Sequence, residues 1–315
     1  MVLNKLIHSH ALVFNLFLEN KISAFYTSNA VNNLSQKLFK INNNVTTNNF
    51  KSVYLVKDIP NYISFSLKNL DQNIKLKKIL QYKGYLVNLI DYEDALAYIN
   101  KNLSKRNRKN LKSKTSKFYS NNKISSKVYF GFIDKNEYHL VFKSFYKLLK
   151  NRFDEKKIHN RYLSKWSDLQ ASTYQKILDK KASLFVIYDN EKPIAITLNY
   201  HVSDMVFSHI QTYHTAYSKY NMGDICMVNH LEWLIKNNIA VFDLAIGKTY
   251  YKEKWCNHEY NFMYHVFYNK KSILSKLNAN IIAVELKIIQ FLRNKNIIGK
   301  LFMIDKLLYK YKNRT

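Results

Sequence analysis

The chain has 315 residues, 47% of them hydrophobic, with 19 Phe and 25 Tyr. That supports one large domain or two small ones and excludes wholesale disorder. Lys and Arg number 50 against 22 Asp and Glu, a net charge of +28, which fits either a polyanionic partner or compositional drift; the spread of lysines along the whole chain favours drift for most of it.

The N-terminal third carries weak signals. Ala11 to Leu18 is the most apolar early run, far short of the roughly 20 residues that span a membrane. No small-residue cleavage site marks a signal peptide, so a soluble, cytoplasmic protein is expected. Asn42 to Asn49 reads as a low-complexity loop. Val53 to Val56 reads as a strand ended by Ile59-Pro60. Lys75 to Tyr82 reads as a helix with Gly84 as its C-cap, and Tyr85 to Ile90 as a strand. A second helix begins at Asp91 and runs into the stretch Lys101 to Lys117, in which eight of seventeen residues are basic and none is acidic. A solvated helix face joining two domains is the commoner meaning of such a stretch. Arg106 and Arg108 are its best phosphate-binding candidates.

The second half is clearer. Lys127 to Ile133 alternates as a strand, and Tyr138 to Leu149 and Leu169 to Leu178 read as helices. Leu184 to Tyr188, Ile194 to Val202 and Met205 to Thr212 are closely spaced strands of an antiparallel meander. A helical period begins at Gly223, with Ile225, Val228, Leu231 and Ile235 on one face. Ala240 to Ile246 is nearly all apolar, which suits a buried strand parallel to a neighbour. Asn261 to Tyr268 supplies one more strand. From Ser272 two helices are expected. Leu274, Leu277, Ile281, Val284, Ile288 and Phe291 form the stripe of the first, and Ile297, Leu301, Ile304 and Leu308 that of the second. Packing on the body of the protein or on a second copy is the usual meaning of such stripes; membrane-surface binding is the alternative.

Two cysteines, Cys226 and Cys256, exclude a disulfide framework. Five glycines exclude a glycine-rich phosphate loop. Gly247-Lys248-Thr249 ends like a P-loop, but Phe242 stands where the first glycine is required. His258-Glu259 lacks a second histidine, and no metal site is expected. Asp243 lies in an apolar strand on the face opposite Phe242 and Leu244. A carboxylate there is either the buried partner of a lysine or backbone N–H, or a base or orienter of an amine. His209 on the third meander strand is a core histidine or a cleft residue. Gly247 lets the chain turn sharply after the strand.

A meander, a helix opening at Gly223, then a strand carrying Asp243-x-x-x-Gly247-x-x-x-Tyr251-Lys252 resembles the BioF-like (cellulose-biosynthesis, CelD-type) branch of the GNAT acyltransferase superfamily. The turn Pro193-Ile194-Ala195 and the basic stretch around Ser104, Arg106 and Arg108 add to the likeness, which covers roughly Leu103 to Tyr268. It is similar in turn to the FemAB peptidyltransferases, which use aminoacyl-tRNA. The resemblance implies an α+β (mixed-sheet α/β) GNAT-like fold of two tandem domains, divided as 1–122 (a reduced N-terminal copy ending in the basic helix), 123–270 (the acyltransferase domain) and 271–315 (amphipathic helices).

It also implies N-acyl transfer from acetyl-CoA or another acyl-CoA to an amine acceptor such as an amino sugar or cell-envelope precursor, in polysaccharide biosynthesis. Gly223, Asn221 and Lys219, with Arg106 and Arg108, would hold the donor. Lys252 would stabilise the oxyanion or grip a donor phosphate. Tyr251, or equally Tyr250, would protonate the leaving thiol. His209, Gly247 and Trp255 would line the cleft, Trp255 as core or wall. The loop from Tyr217 to Asp224 departs from the usual pyrophosphate loop: it holds one glycine and places an acid beside it. A charged-tRNA donor is the nearest rival reading. A protein of this fold that binds nucleic acid or a membrane surface without catalysis is the rival of another class.

Overall fold

A computed structural model describes residues 8–45, 53–295 and 297. In chain order its elements are β1 (His8–Ala11), α1 (Leu12–Glu19), β2 (Lys21–Ser23), β3 (Tyr26–Asn32), β4 (Lys37–Lys40), β5 (Asn43–Val45), β6 (Val53–Pro60), β7 (Ile63–Leu67) and β8 (Ile74–Asn88). There follow α2 (Ala95–Asn102), α3 (Lys105–Ser120), β9 (Ile124–Tyr129), α4 (Lys135–Lys156), α5 (Trp166–Leu178), β10 (Ala182–Asp189), β11 (Lys192–Val202) and β12 (Met205–Tyr213). The last are α6 (Met222–Lys236), β13 (Val241–Ile246), α7 (Tyr250–Trp255), β14 (His258–Asn269) and α8 (Ile273–Asn294). They form two compact units. One takes the chain up to Leu86, residues 246–248, and the chain from His258 through α8; the other takes Val87–Ala245 and Thr249–Asn257. Each has helices and a sheet of mixed direction, the mixed α/β class expected.

In the first unit the strands run β1-β6-β14-β8, with β1 parallel to β6 and β14 antiparallel to both its neighbours. Helix α1 buries Leu12, Val13, Leu16 and Phe17, so the apolar run at Ala11 is core. The helix expected over Lys75 to Tyr82 is instead part of the long strand β8, paired with β14 from Ile74↔Asn269 to Leu86↔His258. Local spacing favoured a helix; pairing with a strand far along the chain overrides it. Gly84 is therefore not a C-cap. It sits opposite Tyr260, whose ring covers it so closely that a Cβ would lie 2.2 Å from the ring.

The tail stripe also differs. Helix α8 seats Ala279, Ile282, Ala283 and Leu286 on Val53, Leu55 and Val266, leaving the stripe Leu274 to Phe291 facing solvent. Small residues allow the close approach to the sheet that the larger ones would prevent. The expected second tail stripe, apart from Ile297, lies outside the described residues, as does the Asn42 to Asn49 segment beyond β5.

In the second unit the order is β13-β12-β11-β10-β9, antiparallel except for the parallel pair β12 and β13. The expected meander and the expected parallel strand are present. Helix α6 seats Ile225 and Cys226 on Ile187, Ile194 and Ala195. The helix expected to run from Asp91 through the basic stretch is two helices. Leu103 is extended and buried, and Ser104 Oγ accepts the Asn107 N–H to start α3 afresh. A buried Leu and an N-cap Ser together stop one helix and begin another.

Gly84→Ala is expected to lower stability by about 1–3 kcal/mol, because the added methyl must displace the buried Tyr260 ring. Denaturant midpoints check it, and Tyr260→Leu in the same chain should recover part of the loss.

Candidate active site

Strands β12 and β13 are paired only from Met205↔Val241 to Phe207↔Asp243. Just beyond, the register of β12 against β11 jumps from Ser208↔Asn199 to Ile210↔Leu198, so His209 is an extra, bulged residue. A bulge bends its strand and re-aims its side chain. At the same level β13 kinks: Ala245 has φ +61°, unusual for a residue with a Cβ, and its N–H donates to Asp243 Oδ1 at 2.7 Å. The two strands part around a cavity of about 280 Å³, lined by Ser208, His209 and Gln211 on one side and Phe242, Leu244 and Ala245 on the other, with His230, Tyr251 and Lys252.

The ionisable groups here are shifted. Burial lowers the Lys252 ammonium to about 8, against the opposing pull of the Asp243 carboxylate. Asp243 is fully buried. Burial, then Arg161 and Lys176, lowers His209 to about 4. Burial, then Cys226 and Asp224, holds the Tyr251 phenol well above its usual value. His230, lowered by burial to about 4, stacks between Phe185 and Phe242; its Nδ1–H donates to Cys226 O and its Nε2 accepts from Asn199. The site thus holds a lysine that is still mostly cationic at neutral pH, neutral imidazoles and a protonated phenol.

A second cavity of about 480 Å³ shares Gln211 and Tyr251 with the first. Its other walls include Asn107 and Asn110 of α3, Arg152, Asn221, Gly223 and Tyr250. It opens at the first turn of α6, where Asn221 is left-handed and no side chain caps the free N–H groups. Such an end attracts anions. Gly223 meets the Tyr251 ring, a Cβ there lying 3.3 Å from it, and Tyr251 Oη donates to Gly223 O. Asp224, the acid that stood against a phosphate here, is neutralised. Its carboxylate accepts from Lys254 Nζ at 2.5 Å and from Trp255 Nε1 at 2.8 Å, with all three groups buried.

Lys252, Tyr251 and His209 come together around the smaller cavity, and Asn221 and Gly223 at the larger; Asp243 is fully buried, lines neither, and bears on the smaller one through its pull on Lys252. Other candidates stand apart. Trp255 is core: its ring is fully buried and lines neither cavity, because it is spent on Asp224. Arg108 donates to the carbonyls of Asn100 and Leu103, closing the end of α2. Arg106 and Lys219 are exposed and line neither cavity; Lys219 offers its carbonyl to Lys114. Gly247, at φ +96°, turns the chain after β13 and also lines neither. Ser208, Gln211, His230, Arg152 and Lys254 were not singled out from the sequence. No spacing rule marks them, since strand pairing and helix docking bring them in. Among the described residues no cluster fit to hold a metal occurs.

No curated protein matches the chain. Among solved structures the chain is similar to FemX (9% identity, covering 67% of this chain and 71% of that one, TM-score 0.47). It is also similar to L-PGS from Bacillus licheniformis (11%, 74% and 73%, TM-score 0.42) and to a tandem GNAT protein from the clavulanic acid biosynthesis pathway (7%, 68% and 63%, TM-score 0.36). Residues 105–253, from the start of α3 into α7, match the model of the acetyltransferase (GNAT) domain family.

Proposed function

We propose that the protein is an N-acyltransferase that moves an acyl group, acetyl in the first instance, from an acyl-CoA to an amine. The observation that carries this is the parting of β12 and β13 over Lys252, in a cavity that shares walls with the anion-attracting end of α6. A donor phosphate arm fits the larger cavity, whose one acid is already paired. The acyl group then reaches the smaller cavity between the strands.

The chemistry follows from the groups present. The acceptor amine attacks the thioester carbonyl and the C–S bond breaks. Lys252, as a cation, stabilises the oxyanion in a site shielded from water. Asp243 acts through Lys252, whose charged form its carboxylate favours, and Tyr251 gives a proton to the leaving thiolate and takes up the one that the amine loses. An amino sugar or another cell-envelope precursor is the acceptor class that fits the BioF-like resemblance, and acyl-CoA as donor implies a cytoplasmic enzyme. A charged tRNA is the second reading. It is favoured by the basic helix α3, which supplies Asn107 and Asn110 to the cleft.

Calorimetric titration with acetyl-CoA at about 0.15 M salt is expected to show saturable binding that is lost in Gly223→Trp. No binding by the wild-type chain, with aminoacyl-tRNA bound instead, overturns the acyl-CoA reading in favour of the second.

Lys252→Ala is expected to lower kcat by about 10²–10³-fold with little change in donor binding. Because Lys252 acts in its charged form, kcat falls as pH rises through about 8. In Lys252→Arg that descending limb moves to higher pH. A rate that instead rises through this pH would make the neutral amine a base and refute the cationic role.

A further inference from the structure

Helix α8 is apolar on two opposite sides. One side, with Ala279, Ile282, Ala283 and Leu286, is buried on the sheet of its own unit. The other presents Leu274, Leu277, Ile281, Val284, Ile288 and Phe291, each 52–71% exposed. At 3.6 residues per turn the two sets centre on opposite faces. Six large apolar side chains in one exposed stripe mark an interaction surface.

Charge decides the occupant. Lys276 and Lys287 lie along one edge of the stripe at the helical angle of Asn280, and Lys77 of β8 donates to Asn280 Oδ1 on that edge. Lys270 and Lys271 precede the helix, and Glu285 is its one acid. Beyond Asn294 the sequence adds six basic residues and one acid. An antiparallel pairing of this face with a second copy would set Lys77, Lys276 and Lys287 beside their own counterparts, and a parallel one would bring only Glu285 of the far edge to meet them. An anionic surface instead satisfies both the apolar stripe and its basic border. Among the described residues no helix is long and apolar enough to cross a membrane.

We propose that the outward face of α8 docks on an anionic lipid surface, with the helix lying in the plane of the interface and Leu274 to Phe291 entering the acyl region. The attachment is peripheral and does not depend on the acyl-transfer reading.

The test is flotation of the full chain with vesicles of phosphatidylcholine alone and of phosphatidylcholine with about one-third phosphatidylglycerol, near 0.15 M salt. The chain is expected to float with the anionic vesicles. Ile281→Ser with Ile288→Ser should reduce partitioning at least tenfold without moving the unfolding midpoint, and Leu274→Ser with Leu277→Ser repeats the test at the other end of the stripe. Arg106→Gln with Lys112→Gln, on α3 of the other unit, should leave partitioning within about twofold. Three results overturn the proposal: no flotation, flotation untouched by both pairs of serine substitutions, or a dimer in sedimentation that those substitutions dissociate.

Discussion

One inserted residue in β12 is the constraint on which the site depends. With His209 bulged out, β12 shifts its register against β11 at the level where it leaves β13. The parallel pairing ends at Phe207↔Asp243, and the strands separate where backbone hydrogen bonds would otherwise close the sheet. Asp243 stabilises the other side of the opening by accepting the N–H of Ala245, held at a positive φ. Strain of this kind persists only where surrounding structure over-determines it. Here it leaves room between two strands.

The buried cluster of Asp224, Lys254 and Trp255 ties the other end of the site together. It links the first turn of α6 to the last turn of α7 through a salt bridge and an indole N–H. A buried ion pair adds little stability by itself, since desolvation offsets most of its attraction. Its consequences are positional and electrostatic. It sets α7 beside α6, so that Tyr251 lies on Gly223 and Lys252 enters the cavity. It also removes the negative charge that would otherwise oppose an anion at the end of α6.

The clustering of the candidate residues was partly legible in advance. Gly223 lies at a helix start, Asp243 on a strand, and Tyr251 and Lys252 on the short helix that follows the strand, all close to one another in the chain. His230 and Gln211 were not legible, because each sits in a regular element whose pattern is satisfied by core packing alone. Trp255 and Arg108 were misjudged for a related reason. Both residue types suit a cleft, but here one is consumed by a buried carboxylate and the other by the carbonyls at a helix end. In the first unit, β8 had a helical spacing that only its pairing with β14 could override.

By itself the sequence determined the second unit's run of elements: the meander, the helix at Gly223 and the apolar parallel strand. Local periodicity and turn residues decide such elements over a few positions. The tertiary structure alone decided where β12 and β13 part, how Asp224 is neutralised and which face of α8 meets the sheet. Those outcomes depend on which groups, distant in the chain, compete for the same partner or the same space. Helix α8 shows this most plainly: two apolar faces were present, and close approach to the sheet selected the one with the small residues.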